Sequence, residues 1–134
     1  MGIYFLFLIL GTGTSFLLLY ARKKKWASAK SRWLITAALL LIGLLGYLFN
    51  GLNATSQGFQ FLYIPVAYNC FDRLFKNLSL RISGRDFYLY LRHSGEIDDG
   101  MFASNTHVNG FDKLFSILLL VIIMGLLLCG VLAE

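Results

Sequence analysis

The chain has 134 residues, of which 57% are hydrophobic and 14% charged. A soluble domain of this length is not so apolar, and the length leaves room for one domain. The net charge of +5 could suit nucleic acid. However, half of the basic residues stand in one short loop between two apolar runs, where the positive-inside rule and anionic headgroups account for them, so no nucleic-acid partner is expected.

The first predicted element covers residues 3–20. No charged side chain occurs from Met1 to Ala21, and a helix of this length reaches roughly 27 Å, close to the hydrocarbon thickness. The basic cluster follows the run instead of preceding it, which is the reverse of a cleavable signal peptide. An uncleaved span with its N-terminus outside is expected. Gly11 and Gly13 stand in its middle, alternating with Thr12 and Thr14, and suit close approach of another helix.

Residues 21–32 form a basic loop holding Arg22, Lys23, Lys24, Lys25, Lys30 and Arg32. Translocating such a cluster is disfavoured, so these residues set the topology and stay cytoplasmic. A second span over 33–50 makes an antiparallel hairpin with the first. Trp33 and Tyr47 are placed as interfacial anchors, and Gly43 and Gly46 share one face for helix packing. Residues 50–57 read as an outer loop. The glycosylation patterns Asn53-Ala54-Thr55 and Asn77-Leu78-Ser79 carry weight only in a secretory-pathway protein.

Residues 58–75 are uncharged and aromatic-rich as far as Phe71. Such a run suits a short span, a re-entrant segment or an interfacial helix. Pro65 is expected to kink it, while Gln60 and Asn69 prefer protein neighbours to lipid. Beyond it, Arg73, Lys76, Arg81, Arg85 and Arg92 outnumber Asp72 and Asp86. This positive excess favours the cytoplasm, which requires residues 58–75 to cross. Four crossings with both termini outside are therefore preferred. The alternative, three crossings, leaves residues 54–113 outside and the C-terminus inside.

Phe71, Leu74, Phe75, Leu78 and Ile82 recur at helical spacing with Arg73 and Lys76 opposite, as in an interfacial helix. Leu78, Leu80 and Ile82 also alternate with polar residues, Ser83-Gly84-Arg85-Asp86 suits a turn, and residues 87–91 are strand formers. The resulting expectation is helix to about Asn77 and then a β-hairpin, which needs a neighbour to pack on. Residues 93–113 read as an irregular loop. The last and most hydrophobic span covers 114–133.

His93, Glu96, Asp98, Asp99 and His107 are the only cluster of acid/base or metal-ligand types. Asp98-Asp99-Gly100 lacks the alternating oxygens and distal glutamate of a calcium loop, and a solvated loop is expected. Neither a nucleophile elbow nor a phosphate-binding glycine loop occurs. No metal, cofactor or catalytic site is expected, and Cys70 and Cys129 read as small buried hydrophobes.

Together these features describe an all-α integral membrane protein with four crossings and a small cytoplasmic extension over 76–113. The expected location is a bacterial inner membrane. The expected role is a non-enzymatic subunit of a larger membrane assembly, such as a secretion, envelope or defence complex. Its partners are the lipid bilayer and other membrane subunits, or further copies of itself. Asp72, Arg73, Arg85, Asp86 and Arg92 are its expected docking residues. Two other roles fit the same residues. One is a membrane immunity protein. The other is a small homo-oligomeric channel lined by Thr12, Thr14, Ser15, Gln60 and Asn69.

Overall fold

A computed structural model describes residues 2–51, 57–98, 100 and 104–133. These residues hold four α-helices and one 3-10 helix, with no strand among them. The helices are α1 (Gly2–Tyr20), α2 (Ala29–Asn50), α3 (Ile64–Ser83) and α4 (Gly110–Leu132), and the 3-10 helix is Phe59–Tyr63. Three of them, α1, α2 and α4, are long and apolar enough to cross a membrane. At about 1.5 Å per residue each covers the hydrocarbon layer.

The predicted span over 58–75 is therefore not a fourth helix of that kind. It is divided between the 3-10 helix and the start of α3. Pro65 does not kink a helix. It lies in the first turn of α3, where its missing N–H has no helical partner to lose. The second span begins earlier than predicted because Ser28 caps α2, accepting from the Ser31 amide at 3.4 Å. Lys30 and Arg32 thus belong to the first turn of α2 and not to the loop.

The expected β-hairpin does not form. Helix α3 runs through Leu78, Leu80 and Ile82 to Ser83. It stops at Gly84, whose φ of +67° is a left-handed cap and whose amide bonds the Leu80 carbonyl at 3.0 Å. The alternation of three leucine-type residues is weak evidence against a helical pattern that includes Phe71, Phe75 and Ser79.

The chain forms two compact units. One comprises Met1–Asn69 with Ile123–Glu134, and the other Cys70–Ile122. In the first, residues 58–69 are laid against α1 and α2. Phe59 packs on Phe7, with ring centroids 4.5 Å apart, and joins Leu39, Leu62 and Tyr47 in one cluster. Phe61 meets Tyr4 edge-on at 5.4 Å, and Tyr63 stacks with Tyr47 at 6.0 Å. Tyr47 is thus a packing residue. Further on, the Tyr68 hydroxyl reaches the Leu18 carbonyl at 3.4 Å, and Asn69 reaches Thr36 at 3.2 Å. The segment therefore runs antiparallel to α2, from its Asn50 end to its Arg32 end. In lipid this burial gains little from leaving water, so close packing and hydrogen bonds hold it.

In the second unit, Phe75 stacks on Phe115 at 5.1 Å and Phe87 meets Phe115 at 5.5 Å. Phe87 and Leu89 are fully buried and their neighbours Asp86, Tyr88 and Tyr90 only partly so. This is the period of a strand without a partner strand. Helix α4 supplies the missing acceptors: the Tyr88 amide bonds Asp112 Oδ1 at 3.2 Å, and the Tyr90 amide bonds Ser116 Oγ at 2.8 Å. The Leu89 amide donates to the Glu96 carboxylate.

Cys70 and Cys129 are exposed on α3 and α4 rather than buried. Many apolar side chains of α1, α2 and α4 are likewise exposed, as expected of helices whose solvent is lipid.

Candidate functional site

The glycines divide into seats and open positions. A Cβ on Gly11 would land on the Phe61 carbonyl, and one on Gly46 would land on the Phe59 ring. One on Gly43 would approach Tyr63 to 3.2 Å. What fills these seats is the aromatic segment 59–63, not a neighbouring helix of the hairpin. Gly13 faces open space and is exposed on the other side of α1. Gly130 would bring a Cβ to 2.7 Å from Phe61. Its carbonyl accepts from Gln60 Nε2 at 3.2 Å.

A polar cluster closes the Arg32 end of the same unit. Arg32 donates to the Leu18 carbonyl at 2.9 Å and to the Tyr68 hydroxyl at 3.0 Å. Its guanidinium also stands 5.8 Å from the Tyr68 ring centre. Asn69 bonds the Arg32 carbonyl and Thr36, and Thr36 bonds the Arg32 carbonyl at 3.0 Å. Three chain segments are thereby tied at one charged point. Of the other basic-loop residues, Arg22 is buried, and Lys23, Lys24, Lys25 and Lys30 are exposed.

The expected docking residues separate as well. Arg85 is built into the second unit. Its guanidinium bonds Asp112 at 2.9 and 3.4 Å and the His107 carbonyl at 2.9 Å. It lies over the Tyr88 ring at 4.6 Å. The Asp112 hydrogen bond raises the Arg85 pKa further above its ordinary value. Asp72 is buried, Asp86 is half-buried, and Arg73 and Arg92 are exposed. The five therefore differ in exposure.

Asp112 is the residue that sequence reasoning missed. It sits three residues after Asn109, and its carboxylate takes the Asn109 amide at 2.7 Å, as one half of a capping box. Asn109-x-x-Asp112 before an apolar run is a readable start signal, and it explains why α4 begins at Gly110 and not at 114.

The acidic loop is likewise tied internally. The Asp98 amide and carbonyl bond the Asn105 side chain at 2.8 and 3.1 Å, and His107 Nε2 meets the Glu96 carbonyl at 3.0 Å. Among the described residues, no three His, Cys, Asp or Glu side chains converge to hold a metal. Asp99 and the pattern at Asn53 lie outside the described residues.

No known protein family, curated protein or solved structure matches this chain.

Proposed function

We propose that the chain is a non-enzymatic, multi-pass subunit of a larger membrane assembly, placed in a plasma membrane of the bacterial inner-membrane type. One observation carries this reading: the hydroxyls of α1 and the side-chain amide nitrogens of Gln60 and Asn69 are engaged inside the chain. Thr12, Thr14 and Ser15 donate to the carbonyls of Leu8, Leu10 and Gly11 at 2.6, 2.6 and 2.8 Å. Gln60 and Asn69 bond Gly130 and Thr36. Those are the groups a pore would need. With aromatic rings filling the space between α1 and α2, they favour a packed body that presents its outer faces to neighbours.

The reading includes a fourth crossing made by residues 58–69. Its support is the run of contacts from Gly58 beside Tyr4 to Tyr68 beside Leu18, which follows α1 for most of its length. The Gln60–Gly130 bond places the C-terminal end of α4 toward the Tyr4 end of α1. With the basic loop cytoplasmic, both termini then lie outside. A reporter fused after Glu134 should be active only on the outer side, and cytoplasmic activity rules out four crossings.

The role is tested by purifying a C-terminally tagged protein in mild detergent and weighing what elutes. Other proteins at fixed ratio are expected. A lone monomer with no stable partner overturns the proposal. Multiples of this chain alone, with ion flux in liposomes altered by T12A or Q60A, would replace it with a channel.

A further inference from the structure

We infer that residues 70–83 of α3 are a membrane-surface element that recognises anionic phospholipid headgroups. The helix has two apolar stripes at adjoining angles. Tyr68, Phe75 and the buried Ser79 form the stripe covered by the protein itself. Phe71, Leu74, Leu78 and Ile82 form the second, and they are 39%, 50%, 37% and 52% exposed. Their spacing of three or four residues keeps them on one face, about a right angle wide.

The charge on this stretch has one sign at the surface. Arg73, Lys76 and Arg81 are exposed, whereas the only acid, Asp72, is buried. Arg81 borders the exposed apolar stripe on the helical wheel, and Arg73 and Lys76 lie on the opposite side. Apolar insertion plus unopposed basic charge is the pair of signals that holds a helix at an anionic leaflet. A protein partner would have to offer an apolar groove with acidic rims, whereas an anionic bilayer offers both by default. Long basic side chains reach headgroups while their stems cover apolar surface.

The test uses the full chain in vesicles of phosphatidylcholine, with or without phosphatidylglycerol. Leu78→Cys and Leu80→Cys are made separately with Cys70 and Cys129 changed to serine, and each is labelled with an environment-sensitive fluorophore. Leu80 lies on the basic side of the helix and serves as the comparison. Nitroxide lipids should quench the label at 78 several-fold more than the label at 80, and the difference should grow with phosphatidylglycerol. The triple change R73Q/K76Q/R81Q should remove that growth. Equal quenching at the two positions overturns the inference, whether the segment is unfolded or simply in water. Disulfide-linked dimers through position 78 also overturn it, because a second copy then covers the stripe. Neither result depends on whether a partner protein co-purifies.

Discussion

Gly11→Ala should cost the folded span unit a large share of its stability, whereas Gly13→Ala should cost almost nothing. The two residues are neighbours in one helix, alike in composition and depth, yet they meet different surroundings. At Gly11 the added methyl collides with the Phe61 carbonyl and comes within 3.2 Å of the Phe61 Cβ. Both are backbone or backbone-attached, so no rotamer change relieves the clash. Either α1 or the 3-10 segment has to move, and Phe61 is held on its other side by Gly130 and Tyr4. Overpacking of a buried site typically costs about 1–3 kcal/mol, and a clash with backbone belongs at or above the top of that range. Against a typical total of roughly 5–15 kcal/mol, this is a large share. At Gly13 nothing lies within 4 Å, and alanine favours a helix by about 1 kcal/mol over glycine. Gly46→Ala should fall between the two, because the Phe59 ring it meets can swing. Thermal unfolding in detergent, followed by circular dichroism, ranks the three. Equal midpoints for the Gly11 and Gly13 variants would sink the idea that residues 59–63 occupy the Gly11 seat.

Asp112→Ala should release the second unit while leaving α1 and α2 intact. The Asp112 side chain is 2% exposed and bonds Arg85, the Tyr88 amide and the Asn109 amide. Its removal strands two backbone donors and a guanidinium that is itself only 32% exposed. Breaking a buried charge pair from one side costs about 3–5 kcal/mol, because the remaining charge loses its partner. The converse change, Arg85→Ala, should be milder, since Asp112 keeps both amides as donors. Arg85→Lys should retain the charge but lose the two-pronged contact and fall between them. Hydrogen exchange is the direct readout. The Tyr88 and Tyr90 amides should exchange roughly a hundredfold faster in the Asp112 variant, since each 1.4 kcal/mol is a factor of ten. Amides in the middle of α1 should not change. If Tyr88 exchanges at the same rate with and without Asp112, the carboxylate does not anchor the extended segment.

The parts of the fold that could be read from the sequence are those specified by local patterns. α1, α2 and α4 follow from apolar runs of membrane-spanning length, whereas the caps at Ser28 and Asn109 were not read, so α2 and α4 each begin four residues before the expected start. The 3-10 path of residues 59–63 was not legible. Its aromatic composition suits a helix equally well, and what selects the path is a set of seats at Gly11, Gly43, Gly46 and Gly130, each far off in the chain. The hairpin was misread for a related reason. Residues 86–91 do have strand-like alternation, but their backbone partners are Asp112 and Ser116, on a helix 24 and 26 residues away. The pairing of Arg85 with Asp112 was not legible, because the partner is 27 residues distant and nothing nearby marks it. Gly13 was grouped with Gly11 because spacing alone cannot say which side of a helix will be covered.

The seating of residues 59–63 also sets an order of assembly during synthesis. A 3-10 turn with Gln60 among its residues is poorly suited to face lipid on its own. The α1–α2 hairpin has to be in place first, since it provides the furrow at Gly11, Gly43 and Gly46. Helix α4 is made after both, and only then does Gln60 gain the Gly130 carbonyl. Until then the side of Phe61 and Gln60 that meets Gly130 stays uncovered. A ribosome-bound chain stopped before residue 110 would therefore display a surface that the finished protein conceals.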